Sequence, residues 1–496
     1  MKEIYYNSTR GLNKNFTASK AILNGISEDG GLFVPDTLPF IDEKELKKLK
    51  DMTYKELALY IMGGFFTDFS KEELKECIDL AYDNKFESEE IVPLKKVGNV
   101  FYLELFHGPT LAFKDMALCL LPHLMKRAAK KQKLNKEIVI LTATSGDTGK
   151  AALEGFANVE GTKIVVFFPE EGVSKIQKKQ MVTQKGENTK VIGIKGNFDD
   201  AQSEVKKIFN DDKLRKELDQ NSYRFSSANS INIGRLVPQV VYYFYGYMKL
   251  LKTGEINFGD KINFSVPTGN FGNILAAYYA KKMGLPINKL ICASNENKVL
   301  YDFFQSGTYD AEREFILTIS PSMDILISSN LERLIYDISG RDSSVVNKLM
   351  TNLSKHSKYT VSEDMKEELK GFYGGFASEE ETLKCIKETF NTYQYLMDTH
   401  TSVAYSVYEN YLKDTCDKTK TIVVSTASPF KFTKSVMSAL DTKYAFKEDL
   451  ELVEVMSKIA SIEIPAPIKK LENSEVVHDT VCNREDMKEE IRKFLL

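Results

Sequence analysis

Glu137-Ile138-Val139-Ile140-Leu141-Thr142, Thr148-Gly149-Lys150-Ala151-Ala152-Leu153-Glu154-Gly155-Phe156-Ala157-Asn158 and Lys163-Ile164-Val165-Val166-Phe167-Phe168 follow one another across short turns. The first and third runs are short, apolar and rich in β-branched or aromatic residues, as strands covered on both faces are. The middle run is long enough for three turns of helix, and Pro169 closes the third. A strand, a helix and a strand in this order predict a right-handed βαβ unit and a parallel sheet.

The same rhythm extends outward. Ser174 to Lys185 and Asp199 to Asn210 read as helices around a strand at Lys190 to Ile194. After a polar interval it returns: a strand at Lys261 to Val266, a helix at Asn273 to Met283, and strands at Leu290 to Ser294 and Thr421 to Ser425. The first hundred residues read as helical. Thr53 with Glu56 and Ser70 with Glu73 make capping boxes, and Leu74, Cys77, Ile78 and Ala81 recur with helical period. Residues 340–395 also read as helical, with a capping box at Ser378 and Glu381. The expected architecture is α/β: two lobes with parallel or mixed sheets flanked by helices, and a helical N-terminal extension. The boundaries expected are 1–98 for the extension, 99–245 for a smaller lobe with Lys114, and 246–496 for a larger lobe.

Composition excludes several classes. The chain has 496 residues, 43% hydrophobic and 28% charged, which is too apolar for disorder. Its net charge of −3 gives no general attraction to nucleic acid or anionic membrane. The basic run Lys126 to Lys133 reads as a solvated helix face. The six cysteines form no C-x-x-C pair, which fits a reducing compartment, and no Cys/His spacing suits zinc, so no metal is expected. The N-terminus lacks an apolar signal core and no stretch is apolar enough for a membrane span, so a cytoplasmic protein is expected.

Four segments carry chemistry. In His107-Gly108-Pro109-Thr110-Leu111-Ala112-Phe113-Lys114-Asp115, Lys114 begins an apolar helix. Burial there would lower the proton affinity of its amine and let it attack an aldehyde, although a snorkelling stem also fits. Thr142-Ala143-Thr144-Ser145-Gly146-Asp147-Thr148-Gly149-Lys150 joins a strand to a helix, so its amides face an anion or simply form a capped turn; it is not a P-loop. Val266-Pro267-Thr268-Gly269-Asn270-Phe271-Gly272-Asn273 is a second such junction, without dinucleotide spacing and suited to a single phosphate or to a plain turn. Asn229 to Gln239 holds Asn232 and Arg235 three residues apart, an anion pair or a structural one.

These segments, in this order, resemble those of the threonine synthases, fold-type II pyridoxal phosphate enzymes whose architecture is like that of the tryptophan synthase β-subunit. The resemblance runs over nearly the whole chain, through Asn7-Ser8-Thr9-Arg10-Gly11, Asp29 to Pro35, Pro321-Ser322-Met323-Asp324-Ile325, Ser329-Asn330-Leu331-Glu332-Arg333 and Ser425-Thr426-Ala427, at the length of the class I branch. It implies pyridoxal 5'-phosphate joined to Lys114, which later moves protons. Gly269, Asn270, Phe271, Gly272 and Asn273 would hold its phosphate, and the Thr426 hydroxyl its pyridine nitrogen. Thr144, Ser145, Gly146, Thr148, Asn232 and Arg235 would hold the substrate, O-phospho-L-homoserine. The implied reaction is β,γ-elimination of phosphate and addition of water at the β-carbon, giving L-threonine; the implied state is a monomer or weak homodimer. Two other outcomes share Lys114: a phospholyase releasing 2-oxobutyrate, and a silent relative that binds cofactor or another protein. The chain departs from the family at Ser428, where T-A-H-P is usual, and at Thr399 and Ser402, where D-P-H-T-A is usual. Asp147 stands where related enzymes use Asn against the cofactor's phenolic oxygen. No role is therefore expected of His400 or Asp147.

Overall fold

The computed structural model describes residues 3–144, 146–170 and 173–496, with Asp199 described by its backbone only. The βαβ unit is present as the strand Glu137–Ala143, the helix Asp147–Phe156 and the strand Thr162–Pro169. The two strands pair in parallel, with Ile140 opposite Ile164. Val139, Ile140, Val165, Val166 and Phe167 are fully buried, because helices cover both faces, and this is why the runs are continuously apolar rather than alternating.

Two sheets organise the chain. The smaller has the order Val481–Asn483, Thr189–Lys195, Thr162–Pro169, Glu137–Ala143, Tyr223–Ser226, parallel throughout. The larger has the order Phe372–Phe376, Ile287–Ser294, Ile262–Pro267, Thr421–Ser425, Val100–Glu104, Leu94–Val97 and is parallel except for its last pair. The expected boundaries at 98 and 245 are therefore corrected. Leu94–Val97 and Val100–Glu104 lie in the sheet built from residues after 246, and Val481–Asn483 from the far end of the chain completes the smaller sheet.

The N-terminal extension has the expected helices Tyr54–Phe65 and Lys71–Ala81, both begun by the capping boxes read from the sequence. It also has a small hairpin, Tyr6–Ser8 against Phe33–Pro35. It rests on the long buried helix Ile233–Lys252. Residues 340–395 are helical at Ser343–His356 and Glu379–Tyr393, with the strand Phe372–Phe376 between them, where helix alone was expected. Among the described residues, no helix is long and apolar enough to cross a membrane.

Candidate active site

The carboxyl ends of three parallel strands bring the chemistry together. Glu137–Ala143 delivers Thr144 to Thr148, Ile262–Pro267 delivers Thr268 to Asn273, and Thr421–Ser425 delivers Thr426 and Lys431. In open α/β sheets this is where ligands sit.

Lys114 stands just before the short helix Asp115–Leu118. Its side chain is 12% exposed, and Nζ donates to Ser322 Oγ at 3.3 Å and lies 3.9 Å from Asp147 Oδ2. Burial strips water from the ammonium and pushes the amine down to about 8; Asp147 opposes this, and the positive charges of Arg235 and Lys431 assist it. At pH 7.5 about a quarter of such an amine is neutral, against roughly one in a thousand for an ordinary lysine. The Lys114 amine is thus buried, where a snorkelling stem would carry it to water. The Thr426 carbonyl accepts from the Phe113 N–H at 2.8 Å, which ties the lysine segment to the end of the strand Thr421–Ser425.

This shift makes the stability of the cofactor-free chain depend on pH. Below pH 8, Lys114 is charged in both the folded and unfolded chain, and the folded chain bears the burial penalty in full. Above 8, the folded chain loses a proton that the unfolded chain keeps up to about 10.5, so stability rises with pH. Urea unfolding of wild type and Lys114→Met at pH 7 and 9.5 should show wild type gaining about 2 kcal/mol on the variant over that interval. A constant difference would place the ammonium in water.

The turn after Glu137–Ala143 is arranged for an anion, with one correction. The Thr144 hydroxyl accepts from the Gly146 and Gly149 N–H groups, each at 3.0 Å, so it caps its own helix and retains only its O–H for a ligand. Gly146 has φ +148°, and a Cβ there would meet the Gln177 side chain at 2.5 Å, so glycine is required. Thr148 is half-buried, and its hydroxyl has no partner among the described residues. Ser145 lies outside the described residues.

The turn before the helix Gly272–Lys282 is tighter. A Cβ on Gly269 would stand 2.7 Å from the Ser322 carbonyl oxygen, so this close approach also demands glycine. The Asn270 carbonyl accepts from Asn330 N at 3.1 Å. Phe271 is held left-handed at φ +64°, a strain of order 1–3 kcal/mol for a non-glycine residue. Its buried ring lies beside Phe304 and Phe372 and offsets that strain. Gly272 then opens the helix. Tyr242 and Tyr243 both donate to Asn273 Oδ1, which fixes the amide and leaves the buried Nδ2 without a partner.

Asn232 and Arg235 do not form the pair expected. Asn232 is the N-cap of Ile233–Lys252: Oδ1 accepts from Gly234 N at 2.9 Å, and Nδ2 donates to the Ile22 and Ser227 carbonyls at 2.9 Å. Both amide hydrogens are used internally, so it anchors the extension and has no donor left for a phosphate. Arg235 is different. It is 3% exposed, donates through Nη1 to the Ala228 carbonyl at 3.0 Å, and leaves Nε buried and unpartnered. Burial pushes it down to about 10. An orphaned buried N–H costs about 1–3 kcal/mol, so Arg235 and Asn273 are both set up for an acceptor from outside.

Sequence reasoning missed three neighbours. Ser322, in a motif given no role, donates to Asp147 Oδ2 at 3.2 Å as well as accepting from Lys114. His400 accepts the Ser322 backbone N–H at Nε2, 3.1 Å, so its proton sits on Nδ1 and faces Asp398 Oδ2 at 2.7 Å. His400 thus fixes the residue that touches Lys114. Lys431, fully buried, pairs with Asp147 Oδ1 at 2.8 Å and donates to the Thr110 carbonyl at 2.8 Å. Its signal was a lysine in the apolar Pro429 to Phe432 segment. A cavity of about 540 Å³ is lined by Glu104, His107, Tyr395 and Phe430, and Lys114 is not part of its lining.

Comparison with known proteins bears on this arrangement. Three family models match: "Threonine synthase N terminus" over residues 5–82, "Pyridoxal-phosphate dependent enzyme" over 87–427, and "Threonine synthase, C-terminal" over 401–488. A Homo sapiens protein called threonine synthase-like 1 is 42% identical over 437 residues, spanning 86% of this chain but only 58% of that protein. The threonine synthase of Saccharomyces cerevisiae is 36% identical over 503 residues, covering 95% of this chain and 96% of the other. The crystal structure of a PLP-bound threonine synthase from Brucella melitensis superposes with a TM-score of 0.88 at 35% identity, covering 99% of each chain.

Proposed function

Because the chain belongs to the threonine synthase family of pyridoxal-phosphate dependent enzymes, we propose that it converts O-phospho-L-homoserine and water to L-threonine and phosphate. The observation that carries this reading is the presence of two unusual basic groups in one site. One buried site holds an amine that is readily neutral, Lys114, and a guanidinium with no carboxylate partner among the described residues, Arg235.

The residues fit the family's cofactor. Pyridoxal phosphate requires an amine for its aldehyde and a turn for its phosphate. Lys114 meets the first requirement. Gly269 to Asn273 meet the second, with a helix N-terminus, a glycine whose Cβ would obstruct the approach, and the orphaned Asn273 Nδ2. The Thr426 hydroxyl would face the pyridine nitrogen as a neutral partner. When bound, the group supplies a conjugated ring that takes up electrons from the carbon next to the substrate nitrogen.

The chain's own residues then have defined tasks. Arg235 would hold the substrate phosphate by charge-assisted hydrogen bonds. The helix N-terminus at Gly146 and Thr148, with the remaining O–H of Thr144, would hold the carboxylate. Lys114 would take the α-proton and return protons as threonine forms, with Ser322 between it and Asp147. A β-proton would leave to the same base, phosphate departs from the γ-carbon with the C–O electron pair, protons return to the γ- and α-carbons, and water supplies the hydroxyl at the β-carbon while its other proton goes to phosphate.

Incubation of the purified protein with O-phospho-L-homoserine tests the reading. Threonine and phosphate should appear in equal amounts. Release of 2-oxobutyrate without threonine would make the chain a phospholyase, and no product from cofactor-loaded protein would make it a silent relative.

A further inference from the structure

Among the described residues, Asp147 is the carboxylate within 4 Å of both lysines of the site. Its Oδ1 pairs with Lys431 at 2.8 Å and accepts from Gln177 Nε2 at 2.9 Å. Its Oδ2 accepts from Ser322 at 3.2 Å, while Lys114 Nζ stands off at 3.9 Å. Lys431 is 0% exposed and also donates to the Thr110 carbonyl, so it is clamped between two acceptors and cannot swing away. The groups facing Lys114 are therefore Asp147 from one helix, Lys431 from the segment after the strand Thr421–Ser425, Arg235 from the long helix, and Asp115 next to it in sequence. Asp115 is engaged with Thr110, accepting from its N–H at 2.8 Å and from its hydroxyl. Three cations thus face two carboxylates, and both carboxylates are already engaged by closer partners, Asp147 by Lys431 and Asp115 by Thr110.

We propose that Lys431 is a positioning residue that claims Asp147 as its counterion, leaving Lys114 as a cation without a partner of its own and so releasing its proton. Ser322 is the hydroxyl through which the two halves communicate: it accepts from Lys114 and donates to Asp147. The arrangement also settles how a carboxylate can stand where a neutral amide is usual. Burial alone would raise Asp147, but Lys431 and Lys114 outweigh it and hold the acid well below the usual carboxylate range. The Asp147–Lys431 pair as a whole is neutral, so it stands in for an uncharged side chain.

This inference rests on the reading of Lys114 as the amine that carries the cofactor. It is tested on the full chain stripped of cofactor, with no substrate present. Reductive methylation by formaldehyde and cyanoborohydride, read by peptide mass spectrometry from pH 6.5 to 10, reports the proton affinity of Lys114. In Lys431→Gln, Asp147 falls to Lys114, and the midpoint should move up by at least one pH unit. Labelling at pH 7.5 should then drop about eight-fold. In Lys431→Gln/Asp147→Asn, both charges are gone and the midpoint should return to within half a unit of wild type. An unmoved midpoint in the single variant, or a displaced one in the double variant, would overturn the proposal. If the single variant does not fold, because it leaves a buried carboxylate unpaired, Asp147→Asn decides instead: with Lys431 uncompensated the Lys114 midpoint should fall, and an unmoved midpoint would overturn the proposal. A chain that makes no threonine yet shows these shifts loses the proposed function and keeps this inference; a flat titration in an active enzyme does the reverse.

Discussion

Lys114→Ala is expected to lower threonine formation from O-phospho-L-homoserine by at least ~1,000-fold while leaving the fold intact. A positioned acid–base group is worth 10²–10⁴-fold on its own, and here the same amine would also seat the cofactor. The fold should survive because the side chain leaves little behind. Its amine makes one side-chain hydrogen bond, to Ser322, and burial already disfavours its charge. The variant should therefore melt no lower than wild type below pH 8. Kinetics alone would not separate a lost base from a lost cofactor, so the decisive readout is covalent. Borohydride reduction of wild type followed by peptide mass spectrometry should find the pyridoxyl group on Lys114. The same group on any other lysine, or visible absorbance unchanged in Lys114→Ala, would overturn the assignment.

What could be read in the sequence divides along a physical line. Where a strand is buried on both faces, its central residues form an unbroken apolar run and declare themselves. Glu137–Ala143, Thr162–Pro169 and Thr421–Ser425 are of this kind. Edge strands have no such requirement. Phe372–Phe376 contains Gly374 and Gly375, and Val481–Asn483 is a mere three residues, so neither departs from its surroundings. Val481–Asn483, with Leu94–Val97 and Val100–Glu104, is also what defeats a division into consecutive lobes. No local pattern records that a chain returns to an earlier sheet.

The site divides in the same way. Local chemistry was readable: an amine at a helix start, two strand-to-helix turns with glycines, and an arginine in an apolar helix. Asn232 shows the limit of spacing. Three residues from Arg235 would place both on one face within a helix, but Asn232 is the cap, and a cap's side chain folds back on its own helix. The roles of Lys431 and Ser322 were out of reach for another reason. Both residues lie more than 200 residues from Lys114, and their meaning consists wholly in what they touch.

Arg235→Met should give opposite changes in activity and stability, which makes it a sharp test of the anion site. On the activity side, removal of a buried charge-assisted contact to phosphate should raise KM for O-phospho-L-homoserine by about 100-fold or more, at roughly 1.5–3 kcal/mol for each hydrogen bond lost. On the stability side, Arg235 is buried with one bond to a carbonyl, an orphaned Nε and no ion pair among the described residues. Replacement of such a group by an apolar side chain of similar length removes its desolvation penalty, so the ligand-free variant should gain about 1–3 kcal/mol and melt higher. Inorganic phosphate distinguishes this from generic repacking. If Arg235 is an anion receptor, phosphate should raise the melting temperature of wild type by mass action and leave the variant unmoved. A structural cation would behave otherwise: Arg235→Met would melt lower, KM would hold, and both proteins would respond to phosphate alike. The free arginine is thus expected to be a site kept at the expense of stability, because a guanidinium already satisfied by the fold would have nothing left to offer the substrate.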